Sequence, residues 1–198
     1  MLVEQENPWV EGLKTVILSA VLATGIRVFV AEARYIPSSS MVPTLQINDR
    51  LIVDKVAYRF SEPQRGDIVV FSPTDALRAQ NFRDAFIKRI IGLPGDTVQV
   101  TQNRVFINGQ PLEEDYIQDA PAYEWGPQVV PEGEFLVLGD NRNNSYDGHS
   151  WGFVPRDHII GRATVRFWPV DRMGGIGHPV YEGLDTSFAQ PVEWKPAQ

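Results

Sequence analysis

A chain of 198 residues with 43% hydrophobic and 22% charged side chains has the composition of one globular domain with room for an anchor or a small insertion. A net charge of −7, with only Arg83, Lys88 and Arg89 as a small local basic cluster, excludes a nucleic-acid binder of the basic-stripe kind. The absence of cysteine excludes disulfides, thiolate catalysis and Cys-ligated zinc, while leaving the redox compartment open.

The first element is the apolar run TVILSAVLATGIRVFVAEA, residues 15–33. Residues 13–31 supply the roughly 20 apolar positions that a membrane helix needs, if Arg27 snorkels from near one end. A buried soluble helix would show a polar face, which this run lacks. A cleaved secretory signal would fit the small-x-small AEA at 31–33. An uncleaved anchor over 13–33, following a tail at 1–12, is the reading favoured by the rest of the chain, so AEA is expected to stay intact. Lys14 precedes the run while Arg27 and Arg34 follow it, and charge therefore casts no vote on orientation.

Beyond residue 44 the chain reads as short strands punctuated by turns. RLIVDKVAY (50–58) and GDIVVFSP (66–73) are rich in Ile and Val and bounded by turn formers. AFIKRIIG (85–92) follows, and LPGD ends it. DTVQVTQNRVFINGQPL holds two alternating stretches, with Asn108-Gly109 as a two-residue hairpin turn. Residues 110–132 read as an irregular, Pro-rich surface insertion. GEFLVLGD (133–140) and IIGRATVRFWPV (159–170) are the last strands, and from Arg172 the chain reads as a loosely packed tail. The pattern predicts an antiparallel sandwich or barrel. His149, His158 and His178 lack the close pairing of a helical zinc motif. GGIG at 174–177 lacks the Lys-Ser/Thr of a phosphate loop and reads as a turn. No metal or cofactor is expected.

Three stretches carry chemistry. In AFIKRII, alternation sets Phe86, Lys88 and Ile90 on one face and Ile87, Arg89 and Ile91 on the other. A buried Lys88 would have a lowered pKa and could act as a base; an outward-facing Lys88 would be an ordinary solvated lysine. The serines of SSSMVPTL (38–45) are either a flexible linker or the source of a nucleophile, for which Ser38, Ser39 and Ser40 all qualify. Neutral lysine would accept the hydroxyl proton and later return it to the leaving group, while backbone N–H groups hold the oxyanion. GDNRNNSYDGHSWG (139–152) is either a loop tied by Asp140, Arg142 and Asp147 or a source of polar support to a site.

Taken together, YIPSSSMVPTL (35–45), GDIVVF (66–71), FIKRIIGLPGD (86–96) and GDNRNNSYDGHSWGFVP (139–155), in this order after an apolar segment, resemble the type I signal peptidases. The resemblance runs from the anchor to about residue 170. It implies Ser40 as nucleophile and Lys88 as general base. The hydroxyl of Ser38 would join the Ser40 N–H in the oxyanion hole, Ser145 would orient the lysine amine, and Asp147 would support the site from behind. It implies a mostly β fold: an antiparallel β-sheet catalytic core (34–96 and 133–171), a small inserted β cap (97–132), one N-terminal transmembrane helix and a C-terminal tail (172–198). The substrates implied are exported preproteins, cut after small residues at the first and third positions (A-x-A type). The enzyme would be a single-pass, monomeric protein of a bacterial cell membrane, or of another bacterial or thylakoid-type membrane. Its catalytic domain would lie on the extracytoplasmic side, touching the lipid bilayer and no nucleic acid, with Trp168 and Pro169 at the interface or else packed in the core. One departure is visible: the family's SxDSR reads SYDGH here, so His149 stands where an arginine would pair with Asp147, and activity would become sensitive to pH near 6.5. Two rivals are a Ser–His–Asp hydrolase built from Ser40, His149 and Asp147, and a non-catalytic anchored β-domain that binds partners.

Overall fold

The computed structural model describes residues 8–179 and 181; the expected tails at 1–12 and 172–198 therefore lie partly outside the described residues. Helix α1 (Pro8–Phe29) buries none of its residues and carries apolar side chains all round, so it has no core-facing stripe. Its 22 residues span about 33 Å, enough to cross a bilayer by length and composition. It begins before, and ends short of, the 13–33 expected for the anchor, because AEA belongs to β1 (Ala31–Tyr35).

The rest is mostly antiparallel β-structure, as the alternating patterns predict. β2 (Arg50–Asp54) stops sooner than the expected 50–58, since the Asp54 carboxylate accepts the N–H groups of Val56 and Ala57 and turns the chain into α2 (Ala57–Phe60). β3 (Ile68–Phe71), α3 (Asp75–Ala79) and β4 (Phe86–Gly92) follow. Next come β5 (Thr97–Thr101), β6 (Arg104–Ile107), β7 (Gln110–Pro111) and β8 (Trp125–Val129). The chain continues through β9 (Glu134–Leu138), α4 (Gly148–Trp151), β10 (Val154–Pro155), β11 (Ile159–Trp168) and β12 (Gly174–Gly175).

One sheet runs β1-β2-β11-β3-β4-β9-β10, with β12 on β11; a second runs β7-β6-β5-β8. Asn108 and Gly109, both at positive φ, join β6 to β7 as the sequence predicts, and Gln102-Asn103 makes a second such turn between β5 and β6. Residues 125–129, expected to be irregular, instead pair with β5. Gly126-Pro127 reads as a strand breaker, yet it is accommodated at a bulge on an edge strand, where the missing proline N–H faces no partner. Ile91, Leu136 and Leu138 of the large sheet pack against Val98, Val100, Val105 and Ile107 of the small one. The described part of the C-terminal segment is not loose: Ile176 packs on the core, and Tyr181 is buried.

Candidate functional site

The serines follow directly on β1. Met41 and Leu45, both fully buried with Ile36, Leu51 and Ile68, anchor the turn that Leu45 N–H closes on Met41 O. The serine segment is therefore pinned from its C-terminal side, which excludes the linker reading. Asn141 N–H donates to Ser40 O (3.1 Å), and the Asn141 and Asn144 side-chain amides donate to Ser39 O and Ser39 Oγ (3.1 and 3.0 Å).

β4 delivers Lys88 to the same place. Lys88 pairs with Val69 of β3, and its side chain is 4% exposed, so the solvated reading fails. Lys88 Nζ lies 2.8 Å from Ser40 Oγ, itself almost buried, and 2.9 Å from Ile87 O. Burial holds the amine down to about 8 from its ordinary 10.5, against the opposing pull of the Asp147 and Asp140 carboxylates. A neutral amine has two N–H donors and one lone pair. With one N–H on Ile87 O, its lone pair is able to take the Ser40 proton across 2.8 Å. Ser38 Oγ stands 3.4 Å from Ser40 Oγ.

The 139–152 loop closes over this pair. A Cβ on Gly139 would come 2.2 Å from Ser145 Oγ and 2.4 Å from Ser40 O, so only glycine lets the loop approach so near. Asp147, fully buried, accepts Gly139 N–H at 2.8 Å and meets His149 Nδ1 at 2.7 Å, while His149 Nε2 turns toward Ser150 Oγ. Among the described residues no hydrogen bond joins His149 to Ser40, so the three members of the Ser–His–Asp rival are not assembled. The expected bond from Ser145 to the Lys88 amine is also absent: Ser145 Oγ is buried beside Gly139 and has no partner among the described residues. The Tyr123 ring stacks on His149 at 4.4 Å.

Sequence reasoning named Asp140 and Arg142 as ties of the loop but missed the partners through which the two sides of the site are held together. Arg89, assigned only to the face opposite Lys88, is 1% exposed and grips Asp140 with two bonds (2.8 and 2.7 Å). A third reaches Thr44 Oγ1 at 3.3 Å, and its guanidinium lies 4.0 Å over the Tyr116 ring. Arg142 forms a buried bidentate pair with Glu114, from the stretch read as an irregular insertion. A charged residue inside the apolar run IKRII is the one local signal for Arg89; its partners are distant in sequence and leave none.

One cleft contains the pair and a second lies beside the first. The first, of about 500 Å³, is lined by Pro37, Ser38, Ser40, Phe82, Phe86 and Lys88 among others; the second, of about 310 Å³, runs along Tyr35, Ile36, Val70, Ala85 and Ile87. Pro37, Asp84, Ala85, Phe86 and Ile87 wall both. Among the described residues there is no cluster of three or more His, Cys, Asp or Glu side chains placed to hold a metal.

Comparison with known proteins accords with this geometry. The family described as signal peptidase, peptidase S26, matches residues 9–168. A signal peptidase I of Leptolyngbya laminosa is 68% identical over 88% of this chain and 87% of its own. A probable signal peptidase I-2 of Synechocystis sp. is 67% identical over 85% of this chain and 78% of its own. A probable thylakoidal processing peptidase 2 of Arabidopsis thaliana is 40% identical over 85% of this chain and 46% of its own.

Proposed function

The chain belongs to the signal peptidase family, peptidase S26, a serine endopeptidase acting in signal-peptide removal; from that premise we propose that it cuts exported preproteins with a Ser40–Lys88 dyad. The observation that carries the reading is the buried 2.8 Å contact between Lys88 Nζ and Ser40 Oγ. Neutral Lys88 takes the Ser40 proton as Oγ attacks the scissile carbonyl, and returns it to the leaving amine; water then releases the acyl group by the same base. The Ser38 hydroxyl and the Ser40 N–H stabilise the oxyanion. Asp147 holds Gly139, and through it the loop over Ser40. Ser145, whose hydroxyl is buried beside Gly139 with no partner among the described residues, steadies the amine by a rotamer change; leaving it unpaired costs about 1–3 kcal/mol.

The substrate lies extended between residues 33–37, which line the smaller cleft, and residues 84–87, which with Pro37 wall both. In an extended peptide, alternate side chains point the same way, so the two clefts receive the first and third residues before the cut, and A-x-A is the matching sequence. Helix α1 anchors the enzyme as a single-pass, monomeric protein of the cell or thylakoid-type membrane, with the catalytic β core, extended by the 97–132 cap, on the extracytoplasmic side. Tyr35, Arg50 and Trp168 are neighbours across β1, β2 and β11, and both rings are about half exposed, which suits an aromatic contact with the lipid interface.

Incubation of the detergent-solubilised protein with a preprotein tests the reading. The expected result is one cut after a small-x-small sequence, lost in Ser40→Ala and in Lys88→Ala and retained in His149→Ala. Survival of cleavage in Lys88→Ala, with loss in His149→Ala, selects the Ser–His–Asp rival; no cleavage by the unaltered chain selects the binding domain.

A further inference from the structure

Residues 176–179 and Tyr181 make a strap beyond the 9–168 matched by the family, in a stretch whose GGIG start reads only as a turn. Ile176 N–H donates to Thr164 O at 2.8 Å and fixes the strap's start to β11. At its far end Tyr181, 6% exposed, meets the Tyr116 ring edge-on at 6.5 Å and donates its hydroxyl to Tyr116 Oη at 3.1 Å. Tyr116 in turn donates to Glu114 at 2.6 Å and lies under the Arg89 guanidinium. Between these points the strap rests on Gly66: a Cβ there would come 2.9 Å from Pro179 Cγ and 3.1 Å from Tyr181 Cε2. Gly66 O accepts from Arg89 Nη1 at 2.8 Å.

The strap therefore presses on Arg89 from two sides, through the Tyr116 ring and through the Gly66 carbonyl. Arg89 holds both flanks of the nucleophile, Thr44 on the segment that follows Ser40 and Asp140 on the loop whose next residue, Asn141, donates to Ser40 O. We propose that Tyr181, acting through Tyr116 and Arg89, is a positioning residue for Ser40. The inference rests on Ser40 as the reacting hydroxyl. It distinguishes kcat from KM, because the cleft walls at 33–37 and 84–87 take no part in this chain of contacts.

The test uses the full chain with Tyr181→Leu, which keeps an apolar filling, and Tyr181→Phe, which keeps the ring and removes only the hydroxyl. Cleavage of a soluble signal-peptide substrate is followed together with amide hydrogen exchange at Asn141. Displacement of a reacting group by about 1 Å can cost about 100-fold. A partial displacement in Tyr181→Leu is expected to lower kcat about tenfold, with KM within about twofold and faster exchange at Asn141. Tyr181→Phe is expected to lose about threefold in kcat. Unchanged kcat in Tyr181→Leu overturns the proposal, as does a kcat loss without faster Asn141 exchange. If Tyr181→Leu is unfolded at the assay temperature, Tyr181→Phe decides, and wild-type kcat in that variant overturns the proposal. Failure of the Ser40 reading would show separately, as cleavage surviving in Ser40→Ala, whereas the exchange at Asn141 is read without any cleavage.

Discussion

At the scale of single residues, Lys88 sits where stability and chemistry conflict. Its amine is held down to about 8 in the folded chain by burial, against 10.5 as the ordinary value. The unfolded chain therefore binds more protons between those two values, and stability rises with pH across that window. Below pH 8 the full cost, about 3 kcal/mol, is present. Lys88→Met is accordingly predicted to abolish cleavage and to raise stability in urea melts at pH 7 by about 1–3 kcal/mol, a gain that fades as pH approaches 10.5. Equal stability at pH 7 would mean that the native state bears no such cost. His149→Ala is predicted to lower kcat/KM by no more than about tenfold, because the ring touches Asp147 and not Ser40. The stretches that the fold brings together around Ser40, Lys88 and Asp147 were legible in the sequence because each is short and chemically distinctive, although the residues alone left Ser38, Ser39 and Ser40 all open. Arg89 was not: alternation assigns it a face but says nothing of Asp140, Thr44 and Tyr116, which only the folded chain brings to it.

At the scale of elements, the turn after β9 depends on Gly139. Its absent Cβ would strike Ser145 and the backbone oxygen of Ser40, and the latter cannot swing aside as a side-chain tip could. Gly139→Ala is predicted to lower the melting temperature by several degrees and kcat by about 100-fold, measured by calorimetry and peptide cleavage. Near-wild-type values of both would show that the loop has slack. β1 makes a second prediction. Ala31, Glu32 and Ala33 pair with Asp54, Val53 and Ile52, so a cut after AEA would remove most of a paired strand. The mature protein is expected to keep these residues, and N-terminal sequencing that begins at Arg34 would contradict this. β2, β3, β4, β9 and β11 of the large sheet were readable from their Val and Ile runs and flanking turn residues, whereas β1 fell partly in the stretch read as anchor and β12 in one read as a turn. β8 was not, since Gly126-Pro127 carries a loop signature and its pairing with β5 is a long-range fact. The same holds for Ile176 and Tyr181, which lie in a Gly- and Pro-rich stretch yet pack on the core.

For the whole molecule, an apolar helix with no buried residues, followed through β1 by the serine segment on which the proposed chemistry rests, suits an enzyme that meets its substrate at the bilayer. Tethering raises the local concentration of enzyme near membrane-inserted preproteins and does nothing for a short soluble peptide. Removal of residues 1–30 is therefore predicted to lower the rate on a preprotein in vesicles by about 100-fold or more, and on a soluble peptide by less than about threefold. Equal losses on both would mean that the helix serves the fold. The fold class was legible because β-patterned stretches recur from residue 50 to 168, whereas the packing of the two sheets through Ile91, Leu136 and Leu138 depends on contacts that no local pattern encodes. The central claim, that one buried amine is the base for one serine, is tested most directly by the pH dependence of kcat/KM on a soluble signal-peptide substrate. Activity should rise with pH through a limb near 8 that stays there in His149→Ala. A profile with no limb near 8, governed instead by one near 6.5 that disappears in His149→Ala, would contradict it.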